Sequence, residues 1–255
     1  MIPKRIHYVW LGNAPMPASV TDCIKSWKKH LPDYTIKCWN EKNFDLNSVP
    51  WVKEAIEKKK WSFASDYIRL YALYTEGGIY MDTDVKVFKN LDNFLQWDFF
   101  TSIELHPDIF NQPHGGQSMI DQYGNKLSKG ITDVPGMGLL AAFIASTPQN
   151  QYIKDCLDFF NTQHFIRPDN SLFTDIINPS IMAAVAIKYG FKYKDEDQLL
   201  KGNMMIYNSS IFAGDPLTRT KESYIMHYCD NSWIERSLFS KIKIQLKRLL
   251  RYKHK

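Results

Sequence analysis

The chain has little of what would set it apart from an ordinary folded domain. Its four cysteines, Cys23, Cys38, Cys156 and Cys229, contain no CxxC pair, so a zinc ribbon or a thioredoxin-like dithiol has no support and reduced thiols in a cytoplasmic chain are expected. No apolar run approaches the ~20 residues of a membrane span. The longest, from Gly136 to Ala145, is about half that. The opening residues, MIPKRIHYVWLG, lack the apolar centre of a signal peptide. There is no repeat, linker or low-complexity segment. What is abundant is apolar and aromatic: 44% and 14% of the 255 residues, enough to fill a core and to make disorder unexpected.

An excess of charge of one sign is also missing from most of the chain. The formal net charge is +5. Residues 237–255, SLFSKIKIQLKRLLRYKHK, hold seven Lys/Arg and no acid, which leaves residues 1–236 at −2. A near-neutral body argues against nucleic acid as a partner, because such domains concentrate positive charge on the binding face. In the tail, Leu238, Ile242, Leu246, Leu249 and Leu250 share one helical side, with cations elsewhere. That pattern suits an anionic membrane surface. The expected organisation is one domain over 1–236 and a basic amphipathic tail over 237–255.

Alternating and helical patterns take turns along the chain. Lys4 to Trp10 and Tyr34 to Trp39 read as strands, and Val20 to His30 and Val52 to Lys59 as helices. Trp61 to Thr75 is the clearest helix, with Phe63, Tyr67, Leu70, Tyr71 and Tyr74 at three- and four-residue steps. Gly77-Gly78 ends it, and Ile79 to Met81 follows as a short buried strand. Phe99 to Glu104, Met204 to Tyr207 and Tyr224 to Tyr228 read as further strands. Asn150 to Phe160 and Asp175 to Tyr189 read as helices. His106 to Val134 reads as a long loop. The alternation predicts an α/β sheet, whose ligands sit beyond the C-terminal ends of strands.

Asp82 and Asp84 leave such an end. Chance alone gives about 1.4 D-x-D pairs for 19 aspartates in this length, and the chain has two, so context must decide. Asp195-Glu196-Asp197 lies among lysines and reads as a solvated loop. Asp82-Thr83-Asp84 is flanked by Ile79, Met81, Val85 and Val87. Two carboxylates against apolar strands are costly unless a cation compensates them, and this spacing suits a hard divalent ion. Asp66 and Arg69, three apart on the preceding helix, make either an intrahelical ion pair or part of the same site.

Three blocks, IPKRIHYVWLG, FASDYIRLYALYTEGGIYMDTDV and IMHYCDNSW, resemble in order the signature of family 32 glycosyltransferases, over roughly residues 2 to 235. That family includes bacterial capsule and lipopolysaccharide sugar transferases and yeast mannosyltransferases. Its core is similar to clostridial toxin glucosyltransferase domains. The resemblance implies a GT-A fold, a nucleotide-sugar donor, Mn²⁺ or Mg²⁺, and retention of anomeric configuration. It implies that Val9 and Trp10 receive the base, that Tyr80 lies next to the nucleoside, and that Asp66 and Arg69 contact donor sugar and diphosphate. Asp82 would meet the ribose and, through water, the metal; Asp84 would bind the metal directly. His227, Ser232 and Trp233 match a pattern that closes over the diphosphate, with His227 or Asn231 completing the metal shell.

The expected reaction is transfer from a UDP-sugar to a saccharide or lipid-linked saccharide during cell-surface polysaccharide synthesis, at the inner face of the cell membrane. UDP-glucose, UDP-galactose, an N-acetylated UDP-sugar and GDP-mannose all fit as donors. A nucleotide-sugar hydrolase and a non-catalytic sugar- or membrane-binding protein are the alternatives. The family's Asn has no equivalent in GMGLLAAFIAS. His114 and Gln117, in the long loop, are candidates for shaping the acceptor site.

Overall fold

Gly77 and Gly78 set the geometry of the centre of the molecule. Their φ values are +63° and +109°, the region open to glycine. A Cβ on Gly77 would lie 2.6 Å from Pro148, and one on Gly78 would lie 2.5 Å from the Arg5 carbonyl oxygen. The pair therefore turns the chain from helix to strand within one residue.

In the computed structural model, residues 1–12, 14–129 and 133–229 are described. Strand β1 (Arg5–Val9) leads through helix α1 (Ala18–His30) to β2 (Thr35–Trp39). Helices α2 (Pro50–Glu57) and α3 (Trp61–Glu76) precede β3 (Gly78–Met81) and the short β4 (Val85–Val87). Next come β5 (Phe99–Leu105), the one-turn helix α4 (Pro107–Phe110), β6 (Met137–Leu139), β7 (Phe143–Ser146), and helices α5 (Gln151–Asn161) and α6 (Asn178–Ala186). The chain continues with β8 (Gln198–Leu200), β9 (Met204–Tyr207), β10 (Phe212–Ala213) and β11 (Ile225–His227).

The main sheet has the order β2-β1-β3-β7-β5-β9-β8, with β6 also on β5. Strands β1, β2, β3, β5 and β9 run one way, and β6, β7 and β8 the other. Side chains alternate across it: Tyr80 joins the core layer under α3, while Ile79 and Met81 join the layer behind. A second sheet, β10-β11-β4, packs on the face of the main sheet, with Phe212 against Phe100 and Phe143. Helix α1 holds the free side of β4: Trp27 Nε1 donates to Val85 O at 2.7 Å, and Ser26 Oγ accepts from Val87 N at 3.0 Å.

The sequence expectations for the main elements hold, with ends shifted by one to three residues. The stretch His106 to Val134 is less open than a bare loop, since it contains α4 and a 3₁₀ turn at Gly116–Met119. The apolar run from Gly136 splits into β6 and β7. The late helix starts at Asn178, because Pro179 suits the first turn and cannot lie deeper. No helix among the described residues is long and apolar enough to cross a membrane.

Candidate active site

The ends of β1 and β3 and the start of β4 open into one cavity of about 1000 Å³. Asp82 follows β3 directly. Its N–H donates to Ala142 O at 2.8 Å, and its carbonyl accepts from Val85 N at 3.0 Å. That turn projects both aspartates into the cavity.

Strand β11 supplies the third group. Its antiparallel register on β4 sets His227 opposite Val85, and Tyr228 N donates to Asp84 O at 3.1 Å. His227 Nε2 then stands 3.3 Å from Asp84 Oδ1. One ligand atom from each of Asp82, Asp84 and His227 lies within 4.8 Å of the others. Burial alone would lower the pKa of His227, but the Asp84 charge outweighs it and holds the ring well above its usual range. Two carboxylates and an imidazole form a donor set that suits Mn²⁺ or Mg²⁺. The residues present therefore fit a divalent cation.

Arg69 is the charge centre beneath them. It is 4% exposed. Its Nη2 lies 3.1 Å from Asp66 Oδ1 and 3.4 Å from Asp82 Oδ1, and its Nη1 donates to Ala141 O at 2.7 Å. The guanidinium also lies 4.7 Å from the centre of the Tyr80 ring. Tyr80 Oη donates to Asp82 Oδ1 at 2.6 Å. The ion pair on the helix and the site are thus one network. Burial pushes the Asp66 carboxyl up to about 7, Arg69 opposes this, and Asp82 adds to it. Val9 and Trp10 line the same cavity, with Trp10 Nε1 donating to Ala14 O at 2.8 Å.

So Val9, Trp10, Asp66, Arg69, Tyr80, Asp82, Asp84 and His227 all meet in one cavity. Asn231, Ser232, Trp233 and the tail 237–255 lie outside the described residues. His114 and Gln117 do not reach this cavity; both are exposed. Their stretch reaches it instead through His106, Asp108 and 133–138.

The sequence reading missed a second charged group. His106 Nδ1 donates to Asp215 Oδ2 at 2.7 Å, and Nε2 donates to Glu104 Oε1 at 2.9 Å. Burial opposes the charge on the ring, but the two carboxylate bonds prevail and push its pKa up to about 11. The E-x-H spacing at the end of β5 was the available signal, since alternate strand residues share a face. The other D-x-D behaves as expected: Asp195 and Asp197 are exposed and cap the turn at Asn208 and Ser209.

Residues 17–100 match the family model described as glycosyltransferase sugar-binding region containing DXD motif. The chain carries that DXD region. The match includes Asp66, Arg69, Tyr80, Asp82 and Asp84. Inositol phosphoceramide mannosyltransferase 3 of Schizosaccharomyces pombe is 31% identical over 38% of this chain and 28% of its own length. An uncharacterized glycosyltransferase of Acanthamoeba polyphaga mimivirus is 29% identical over 43% of this chain and 46% of its own. The chain thus matches less than half the length of these curated relatives. Among solved structures, a glycosyltransferase called PaToxG superposes with a TM-score of 0.50 at 19% identity, over 73% of this chain and 69% of that one. The fold is of the GT-A type.

Proposed function

We propose that this protein is a metal-dependent, retaining glycosyltransferase that moves a hexose or N-acetylhexosamine from a nucleotide-sugar donor, a UDP-sugar in the first instance. The acceptor would be a saccharide or lipid-linked saccharide of a cell-surface polysaccharide. The observation that carries this reading is the convergence of Asp82, Asp84 and His227 beside a buried, permanently charged Arg69, in a cavity large enough for two ligands.

A divalent ion held by Asp84, Asp82 and His227 would supply positive charge against the donor's pyrophosphate when bound. The residue roles follow from what is already engaged. Asp82 is tied to Tyr80 and Arg69, which suits contact with ribose or through water. Asp84, which faces His227 Nε2 at 3.3 Å, would be the direct ligand. Arg69 keeps its charge at every working pH and can meet developing phosphate charge without rearranging. Asp66, held by Arg69 on the cavity wall, accepts from sugar hydroxyls. Trp10 and Val9 offer an apolar face to the base. The bond from anomeric carbon to phosphate oxygen breaks as the acceptor oxygen approaches the same face, and the acceptor proton passes to the departing phosphate.

The basic segment 237–255 would hold the protein at the inner face of the membrane. Its support is sequence alone, and binding to anionic vesicles that persists without 237–255 would remove it.

The central test is nucleotide release across UDP-glucose, UDP-galactose, UDP-N-acetylglucosamine and GDP-mannose with Mn²⁺, with and without acceptor extract. A transferase releases nucleotide faster with acceptor. Full release without acceptor makes it a hydrolase, and no release with any donor leaves a binding protein.

A further inference from the structure

Asn178 is 2% exposed, yet among the described residues neither its Nδ2 nor its Oδ1 has a hydrogen-bond partner. Buried amides are almost always paired, so an orphaned one needs a reason. This one lines the cavity, beside Asp66. It stands near enough to favour the Asp66 carboxylate, though short of a full hydrogen bond. A second orphan, Ser62 Oγ, lines the same cavity from the start of α3.

The fold seats Asn178 there by a close approach. A Cβ on Gly138 would lie 2.9 Å from the Pro179 carbonyl, so only glycine lets the first turn of α6 rest directly on β6. Ser180 Oγ then donates to Asp133 Oδ1 and fixes the same turn. The backbone is anchored directly after Asn178, at Pro179 and Ser180, while its side-chain atoms have no hydrogen-bond partner.

We propose that Asn178, assisted by Ser62, binds hydroxyls of the donor sugar. A planar amide offers donors on one atom and an acceptor on the other, and each hydroxyl of a hexose both donates and accepts. Neighbouring hydroxyls of one ring therefore satisfy both orphaned atoms. Asp66 and Asn178, facing one cavity from α3 and α6, then read the ring from two elements distant in sequence. A sugar lacking those hydroxyls leaves the amide buried and unpaired, which makes Asn178 a specificity residue. This inference rests on the transferase reading above.

The test is titration of the full chain, with Mn²⁺, by UDP, GDP and the four nucleotide sugars named above, in wild type and in Asn178→Leu. Leucine is close in size and removes both polar atoms. We expect the best nucleotide sugar to bind about tenfold more weakly, with the affinity for its nucleoside diphosphate unchanged and Tm unchanged or raised. The raised Tm follows because the orphan is a cost in the free protein. Monodeoxy analogues of the same donor should show the loss in wild type and not in the variant. Equal weakening of diphosphate and sugar nucleotide overturns the proposal, as does unchanged sugar-nucleotide affinity. A clear fall in Tm also overturns it, because it would mean that the amide holds the fold through a bound water. A wild type that binds diphosphates but gains nothing from the sugar defeats this inference alone. One that binds nothing in the panel defeats the transferase reading with it.

Discussion

His227 Nε2 lies 3.3 Å from Asp84 Oδ1, although 143 positions separate them in the chain. The antiparallel register of β11 on β4 makes this contact, so the site is completed only when the smaller sheet forms. Asp84→Asn keeps the shape and removes the charge. Mn²⁺-dependent nucleotide release should fall by about two orders of magnitude or more, the scale at which loss of one transition-state charge partner is felt. Tm should change little. Release at the wild-type rate without added metal would refute the assignment.

Among the described residues, Arg69 is the only guanidinium lining the cavity, and it neutralises Asp66 and Asp82 from beneath. Arg69→Met should cost about 3–5 kcal/mol, because it strands buried carboxylates without a partner. Arg69→Lys should recover part of the stability and little activity, since an ammonium cannot reach Ser65, Ala141 and both carboxylates together. Urea unfolding reads both. A loss below about 1 kcal/mol in Arg69→Met would show that the network is solvated.

His7 makes the fold sensitive to acid. Its Nε2 donates to Gly77 O at 2.8 Å and its Nδ1 accepts from Trp39 Nε1 at 3.0 Å, so the neutral ring is fully used. Burial lowers its pKa to about 4, with the Gly77 carbonyl pulling the other way. A second proton would set one N–H against another. The unfolded chain takes that proton near pH 6.5, so this contribution is complete above 6.5 and drains away as pH falls toward 4. The amount is about 3 kcal/mol. The imidazole resonances of His7 should stay in their neutral positions down to pH 5; titration near 6.5 would contradict the buried tautomer.

His106 predicts the opposite limb. Its pKa, pushed up to about 11 by Asp215 and Glu104 against the effect of burial, makes the imidazolium part of the fold. That stability is present in full below pH 6.5 and is lost as pH climbs toward 11. His106→Gln should be less stable at pH 7 and flatter from pH 7 to 10. A wild-type curve as flat as the variant's would show that the ring is neutral.

The sequence made some of this legible and hid the rest for physical reasons. Helix α3, the glycine break and the carboxylates after β3 were visible because they are local: a 3.6-residue stripe, two residues without Cβ, and apolar flanks. The choice between the two D-x-D pairs also came from local context. Strands β4, β8 and β10 have two or three residues each, too few for any period to register. The His106–Asp215 contact spans 109 positions, and only the packing of the smaller sheet on the main one brings it about. Asn178 looks in sequence like an ordinary helix-start residue. Its role lies in what surrounds it, which a chain read in one dimension does not record.

Among the described residues, strand β4 has a neighbouring strand on one side only. On the other side, an indole N–H and a serine hydroxyl from α1 occupy the positions that another chain's backbone would need. This seals the rim of the smaller sheet beside the turn that carries Asp82 and Asp84. Loss of both groups, in Ser26→Ala with Trp27→Phe, would uncover a ribbon able to recruit strands from other molecules. Self-association and loss of cation affinity should then appear together, though neither position touches substrate.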